Sequence, residues 1–177
     1  MSLLVAALGV VVWNMRPEKD TRGATSVHSD YRLIDFQMHS FDENGNINFS
    51  LAAPLLEREP DGKSLIIEQP QFTFPSKTQQ LWHASSDSAW VSDRAREVQL
   101  RKNVIITAPK SPRGVISQFS SNQLSVFPKE NRIHSDEWVT IRQGTTILKG
   151  LGLEADMNQH RVQLLAKVQA HYAPTNH

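Results

Sequence analysis

Apolar side chains recur at every second position through long stretches of this chain, and that period dictates strands. Ile34, Phe36 and Met38 alternate with polar residues, and Ile47, Phe49, Leu51 and Ala53 do so again. Successive side chains of a strand point to opposite faces, so each run buries one face and leaves the other in water. Between the two runs lies Phe41-Asp42-Glu43-Asn44-Gly45-Asn46. Asn-Gly between alternating segments favours a hairpin, because both residues tolerate positive φ. Similar turn chemistry recurs at Pro60-Asp61-Gly62, Lys129-Glu130-Asn131 and Asp156-Met157-Asn158. Prolines spread along the chain, among them Pro54, Pro70, Pro75 and Pro109, mark edges, bulges and loops and argue against long helices.

The alternation also repeats on a larger scale. Ala89, Val91, Val98 and Val104 match Leu124, Val126, Ile133 and Val139, and these match Leu153, Ala155, Val162 and Val168 at identical internal spacing. Each unit reads as a strand, a tight turn and a returning strand. The period shortens from 35 residues (Ala89 to Leu124) to 29 (Leu124 to Leu153), a drift that connections of varying length absorb. The reading is an all-β domain of about a dozen or more strands in successive antiparallel hairpins, stacked as a folded sheet or jelly roll. At 177 residues the chain has room for one such core and a short tail.

Ser2 to Met15 (SLLVAALGVVVWNM) carries no charged side chain, and Leu3 to Trp13 is the most hydrophobic stretch of the chain. As a helix, Met1 to Met15 would be roughly 22 Å long at about 1.5 Å per residue, short against a hydrocarbon core of about 30 Å. A buried core helix and a signal-peptide core are the alternatives. A cleaved signal needs a basic start and a small-x-small cleavage site, which neither Met1-Ser2 nor Trp13-Asn14-Met15-Arg16-Pro17 supplies. An uncleaved single-pass membrane helix over residues 1–15 fits better. Arg16, Lys19 and Arg22 come after the apolar run and none precedes it, which by the positive-inside rule favours a cytoplasmic location for the downstream domain. Residues 16–29 are polar and read as a flexible linker, leaving residues 30–174 as the folded domain.

Composition removes several function classes. Nineteen Lys and Arg against eighteen Asp and Glu give a formal charge of +1 without a basic block, so the footprint of a nucleic-acid binder is missing. With no cysteine there is no thiol nucleophile, disulfide, Cys-ligated zinc or iron–sulfur cluster, although the compartment stays open. Asp42, Asn44 and Asn46 are spaced as in a calcium loop, but the glycine stands at Gly45 and the distal glutamate position is Ala53; the hairpin turn explains the segment. The seven histidines form no His-x-x-x-His pair and read as surface residues. Gly150-Leu151-Gly152 lacks the third glycine and the βα context of a nucleotide loop and reads as a bend or bulge. Asp136 and Glu137 are adjacent on a strand, so their side chains point to opposite faces and cannot share a substrate. No catalytic residue, metal site or cofactor is expected, and the chain reads as a protein other than an enzyme.

Large apolar residues on strands, including Phe36, Phe49, Phe72, Phe74, Trp82, Trp90, Phe119 and Trp138, either fill a closed core or line a trough for acyl chains. Each buried methylene contributes about 0.8 kcal/mol in either use, so the sequence leaves both open. Three stretches then carry a resemblance. Phe41 to Ala53 (FDENGNINFSLAA), Glu68-Gln69-Pro70-Gln71-Phe72, and Val139-Thr140-Ile141 through Gly144-Thr145-Thr146 and Gly150-Leu151 to Lys167-Val168 resemble the first hairpin, the Gln-Pro strand and the C-terminal hairpin of the LptC family of lipopolysaccharide transport. With the short N-terminal anchor and the polar linker, the likeness rests on the order and spacing of hairpins over residues 31–172.

The resemblance implies an OstA-like β-jelly roll in the periplasm, held at the inner membrane by a single-pass helix. That helix is expected to be longer than residues 1–15, with basic residues ahead of it. The implied work is transport of lipopolysaccharide toward the outer membrane. The domain would receive the lipid A acyl chains from an inner-membrane ABC transporter (LptB, LptF and LptG-like) and pass them to an LptA-like periplasmic bridge protein. Phe36 and Ile67 fall where the family's interior contacts lipid; with Ile34, Met38, Ile47, Phe49, Leu51 and Phe72 they make the expected trough. Gly45 and Gly150 match glycines that matter to the family, Gly45 for a turn's positive φ and Gly150 because a side chain would crowd a neighbouring strand. The open ends of a jelly roll leave strand edges that invite strand addition. The resemblance assigns the edge near Tyr31 and Phe36 to the transporter's own jelly roll. It assigns the edge bearing Val162, Leu164, Val168 and Tyr172 to the bridge protein. A rival reading is a docking protein with a filled core that joins the same partners by edge pairing without binding lipid; a third is a polysaccharide-processing enzyme of the cell envelope.

Overall fold

The computed structural model describes residues 32–172 apart from positions 42, 61, 76–79, 113, 157 and 160; the expected anchor and linker lie outside the described residues. The alternating stretches become strands β1 (Arg32–Phe41), β2 (Ile47–Arg58), β3 (Leu65–Glu68), β4 (Gln71–Pro75), β5 (Leu81–Ser85), β6 (Ser88–Val91), β7 (Val98–Thr107), β8 (Ser117–Phe127), β9 (Arg132–Gln143), β10 (Thr146–Asp156) and β11 (Arg161–Tyr172). They pair antiparallel in one sheet. From β11 the order runs through β10, β9 and β8 to β7, where two short routes lead on to β2. One passes through β5 and β4, the other through β6 and β3, and β1 closes the far side of β2. Among the described residues no helix is long and apolar enough to cross a membrane.

The two short routes exist because a crease crosses the whole sheet. On β1 the inward residues are Leu33 and then Phe36, and on β2 they are Ala53 and then Leu56, so the buried parity shifts on both strands at once. Asp35 sits at the change with φ 45°, between the paired positions Ile34↔Leu55 and Phe36↔Ala53. Gln69 (φ 43°), Lys102 (φ 60°), Asn103 (φ 48°), Gly152 (φ 76°) and Lys167 (φ 50°) continue the line. Registers slip there between Arg101 and Val104, between Ser121 and Ser125, and between Leu151 and Leu153. Each slip is a bulge that bends its strand. The result is two facing leaves: leaf I contains β4 and β5 with the adjoining halves of the long strands, and leaf II contains β3 and β6 with the other halves.

Ladder hydrogen bonds lost at the crease are replaced by side chains and local backbone bonds. Asn103 Nδ2 donates to Asp87 Oδ2 (2.9 Å), while the Asp87 amide donates to the Lys102 carbonyl (3.0 Å) and the Gln69 amide to the Asp87 carbonyl (2.8 Å). Between β8 and β9, Ser135 Oγ donates to the Gln123 carbonyl (2.6 Å) and accepts from the Glu137 amide (3.2 Å). Backbone groups that lose a ladder partner are thereby satisfied where the strands part. The expected turns form with their own chemistry: Gly45 has φ 81°, Asn131 has φ 53°, and Asp156 Oδ1 accepts from the amides of Asn158 and Gln159 at 2.9 and 3.0 Å.

The core lies between the leaves from β1 to β8. Leaf I sends in Phe49, Leu51, Phe72 and Val104, and leaf II sends in Leu56, Ile67, Val91 and Leu100, all buried. Phe49 and Phe72 meet as tilted rings 5.6 Å apart. Toward β11 the filling thins to a separate small cluster of Val139, Leu153 and Ala155.

Candidate functional site

The threefold hairpin repeat shows where the filling stops. Ala89, Val91, Val98 and Val104 of the first unit are no more than 2% exposed, and Leu124 and Val139 of the second are buried. In the third unit Leu153 and Ala155 remain buried, but Val162 is 52% and Val168 56% exposed. These two valines lie on β11, which pairs only with β10 and so ends the sheet. Val98 and Val104 are core in the first unit, Val139 is core and Ile133 partly buried in the second, and the equivalent positions open onto a cavity in the third.

That cavity has a volume of about 470 Å³ and lies between the leaves, lined by Phe119, Ile141, Leu148, Val162, Leu164 and Val168 together with Ser117 and Gln143. The size falls within the range of about 300–1,000 Å³ usual for small-molecule sites. Its wall is apolar except for Ser117 and Gln143, which are cross-strand partners at the outer ends of β8 and β9. The trough is thus greasy toward the crease and polar at its lip. Such a site suits an amphiphile whose chain lies against Phe119, Ile141 and Leu148 and whose head passes the Ser117–Gln143 pair. Among the described residues no cluster of three His, Asp or Glu side chains gathers as a metal site.

Two glycines let β11 approach β10 closely enough to form this wall. Gly150 is buried, and a Cβ placed on it would stand 3.0 Å from Leu164 Cβ, a side chain of the lining. Gly152 has φ +76°, and its Cβ would stand 3.0 Å from Leu165 Cδ1 and 3.2 Å from Leu165 Cβ. Gly45 needs its glycine for conformation alone, since nothing lies within 4 Å of an added Cβ.

The residues expected to form the trough are placed differently. None of the eight lines the cavity. Phe49, Leu51, Ile67 and Phe72 are packed in the filled core, and Phe36 and Met38 are half-buried against it. Ile34 and Ile47 do not face inward as expected; they are 65% and 47% exposed. Ile34 is turned out by the parity shift at Asp35, and Ile47 by the slip in register between Ser40 and Phe41. Of the expected partner edges, β1 with Phe36 and β11 with Val162, Leu164, Val168 and Tyr172 are the two ends of the sheet, and Tyr31 lies outside the described residues. Phe119 is among the large apolar residues left open between core and trough, whereas Ile141, Leu148, Ser117 and Gln143 were not anticipated as lining. The signal for them is the repeat: continuing the second unit's inward parity from Val139 along β9 reaches Ile141 and Gln143.

Comparisons with known proteins agree with this architecture. A family model described as lipopolysaccharide-assembly, LptC-related, matches residues 1–173. No curated protein sequence matches the chain. Among solved structures, LptH from Pseudomonas aeruginosa, described as the LptA-homologous periplasmic component of the conserved lipopolysaccharide transport device, superposes with a TM-score of 0.54 at 11% identity. The match covers 71% of this chain and 95% of that one. At that identity it establishes the shared jelly-roll fold.

Proposed function

The chain belongs to the LptC-related family of lipopolysaccharide assembly and acts in lipopolysaccharide transport, and we propose that the trough between its leaves holds the lipid's acyl chains in transit. The observation that carries the reading is the exposure of Val162 and Val168, whose repeat equivalents are buried or, at Ile133, partly buried, on the wall of an apolar cavity at the end of the sheet. Each methylene moved from water onto such a wall gains about 0.8 kcal/mol, enough to hold a chain without chemistry. Residues 1–15 serve as the inner-membrane anchor, residues 16–29 as a linker, and residues 30–174 as the periplasmic domain. Edge β1, with Tyr31 and Phe36 near it, accepts the transporter's periplasmic jelly roll. Edge β11 accepts the LptA-like bridge protein, whose own apolar interior would continue the trough past Val168. Contact of lipid with Phe36, Ile67 or Phe72 then requires the leaves to part near β1, because these positions are packed in the closed domain.

In-cell photocrosslinking tests the reading. A photoreactive residue at Phe119 or Val168 should give lipopolysaccharide adducts, and one at Glu154, exposed on the outside of leaf II, should give none. Equal adducts at all three positions, or none at any in a folded and exported chain, would leave a protein that docks its partners without carrying lipid.

A further inference from the structure

The two leaves differ in what they show to water. Ile141 and Gln143 line the trough, so Arg142 between them points to the outer face of leaf I. Lys149, between Leu148 of the lining and buried Gly150, points the same way, its Nζ 4.9 Å from the centre of the Trp138 ring. Three imidazoles share that face: His39 and His83, hydrogen-bonded to Ser50 (2.8 Å) and Thr73 (3.4 Å), and His171 at the end of the same cross-strand row. The remaining outward positions of leaf I hold amides, hydroxyls and a few apolar groups, and among the described residues none is a carboxylate. Leaf II is mixed: its outward positions hold Glu57, Glu68, Glu154 and Asp156, with Arg32 bridged to Glu57 at 3.0 Å and Arg132 and Arg161 the cross-strand partners of Asp156.

We propose that the outer face of leaf I beside the trough's lip, centred on Arg142 with Gln118 and Lys149, binds the anionic saccharide head of the lipid whose chains the trough holds. The assignment rests on the acyl-chain reading for the position of the lipid and on charge for the face. A chain seated against Phe119 and Ile141 places its head at the Ser117–Gln143 lip. The next groups on those two strands are the cross-strand partners Gln118 and Arg142, one residue along and on the outer surface. Adjacent strands are about 4.8 Å apart, so one head group meets several strands at once. A guanidinium takes a phosphate or carboxylate in paired hydrogen bonds, and amides and hydroxyls around it serve sugar hydroxyls.

The test uses the purified full chain and three probes: phosphorylated lipopolysaccharide, the same lipid dephosphorylated, and the deacylated phosphorylated saccharide. Arg142→Glu is expected to weaken the two phosphorylated probes by about tenfold or more, the size of one lost charge-assisted contact, and to leave the dephosphorylated lipid unchanged. Arg96→Glu, an equal change of net charge in the exposed turn before β7, should change none of the three. An equal loss from Arg96→Glu, or an equal loss for the dephosphorylated lipid, would overturn the assignment. The acyl-chain reading fails by another signature: a photoreactive residue at Val168 captures no lipid while the deacylated saccharide still depends on Arg142.

Discussion

An alanine methyl at Gly150 and one at Gly152 would meet different obstacles. At Gly150 the obstacle is the Leu164 side chain alone, 3.0 Å away. At Gly152 the methyl meets Leu165 at 3.0 Å, and the backbone there has φ +76°, which costs an L-residue about 1–2 kcal/mol on top of overpacking worth about 1–3 kcal/mol. Gly152→Ala should therefore destabilise more than Gly150→Ala, and Gly45→Ala, which meets no atom, should cost only the conformational part. Urea denaturation of the three variants, monitored by circular dichroism, checks the order. Leu164→Ala removes the Cδ1 and Cγ contacts (3.1 and 3.3 Å) but keeps the Cβ at 3.0 Å, so it should restore part of the stability lost in Gly150→Ala and none of that lost in Gly45→Ala. Equal effects of Leu164→Ala in both backgrounds would mean that the β10–β11 approach is not what Gly150 protects.

At the level of elements, the crease is held by few groups. Ser135 is 3% exposed and bonds both the Gln123 carbonyl and the Glu137 amide where β8 and β9 lose register. Ser135→Ala removes that bond from each, while the Gln123 carbonyl keeps the Ser121 hydroxyl (3.0 Å), and should cost about 0.5–1.5 kcal/mol, read as a lower urea midpoint. Ser120→Ala, on the outer face of the same ladder, should shift the midpoint little. The crease also marks the limit of what was legible in the chain. Hairpins were readable because Gly45, Gly62, Asn131 and Asp156 advertise turns by residue type, and the buried positions of the first two repeat units came from period two. Of the crease residues at positive φ, Gln69, Lys102 and Lys167 are not types that favour it, and Asp35 and Asn103, which are, stand inside alternating strands with no glycine beside them to mark a change of parity. Counting every second residue from Phe36 back to Ile34 therefore crosses the fold line and puts Ile34 on the wrong face. In the first hairpin period two identifies an inward face, but not that another leaf fills the space opposite Phe49 and Leu51, or opposite Phe72 on β4.

Across the whole molecule the filling is graded, dense between β1 and β8 and thin against β11, where Leu164 alone of that strand packs on the small second cluster. A carrier needs an apolar surface that a ligand or the next module can complete, and the uncovered residues at this end supply one. The repeat supplies a controlled comparison, since Val104, Val139 and Val168 occupy the same position in successive units while their exposures are 1%, 1% and 56%. A carboxylate at Val104 would be buried without a partner, a change large enough to unfold the domain. At Val168 the same carboxylate reaches water and leaves the fold intact while spoiling the apolar wall for a chain. Val104→Asp should thus lose the strand signature in circular dichroism. Val168→Asp should keep it and lose the lipopolysaccharide adduct otherwise formed from a photoreactive residue at Phe119. If Val168→Asp also unfolded, β11 would be part of the stabilising core and the open end would not be available for cargo; if it folded and still gave the Phe119 adduct, lipid would be entering by another path than the wall that β11 provides.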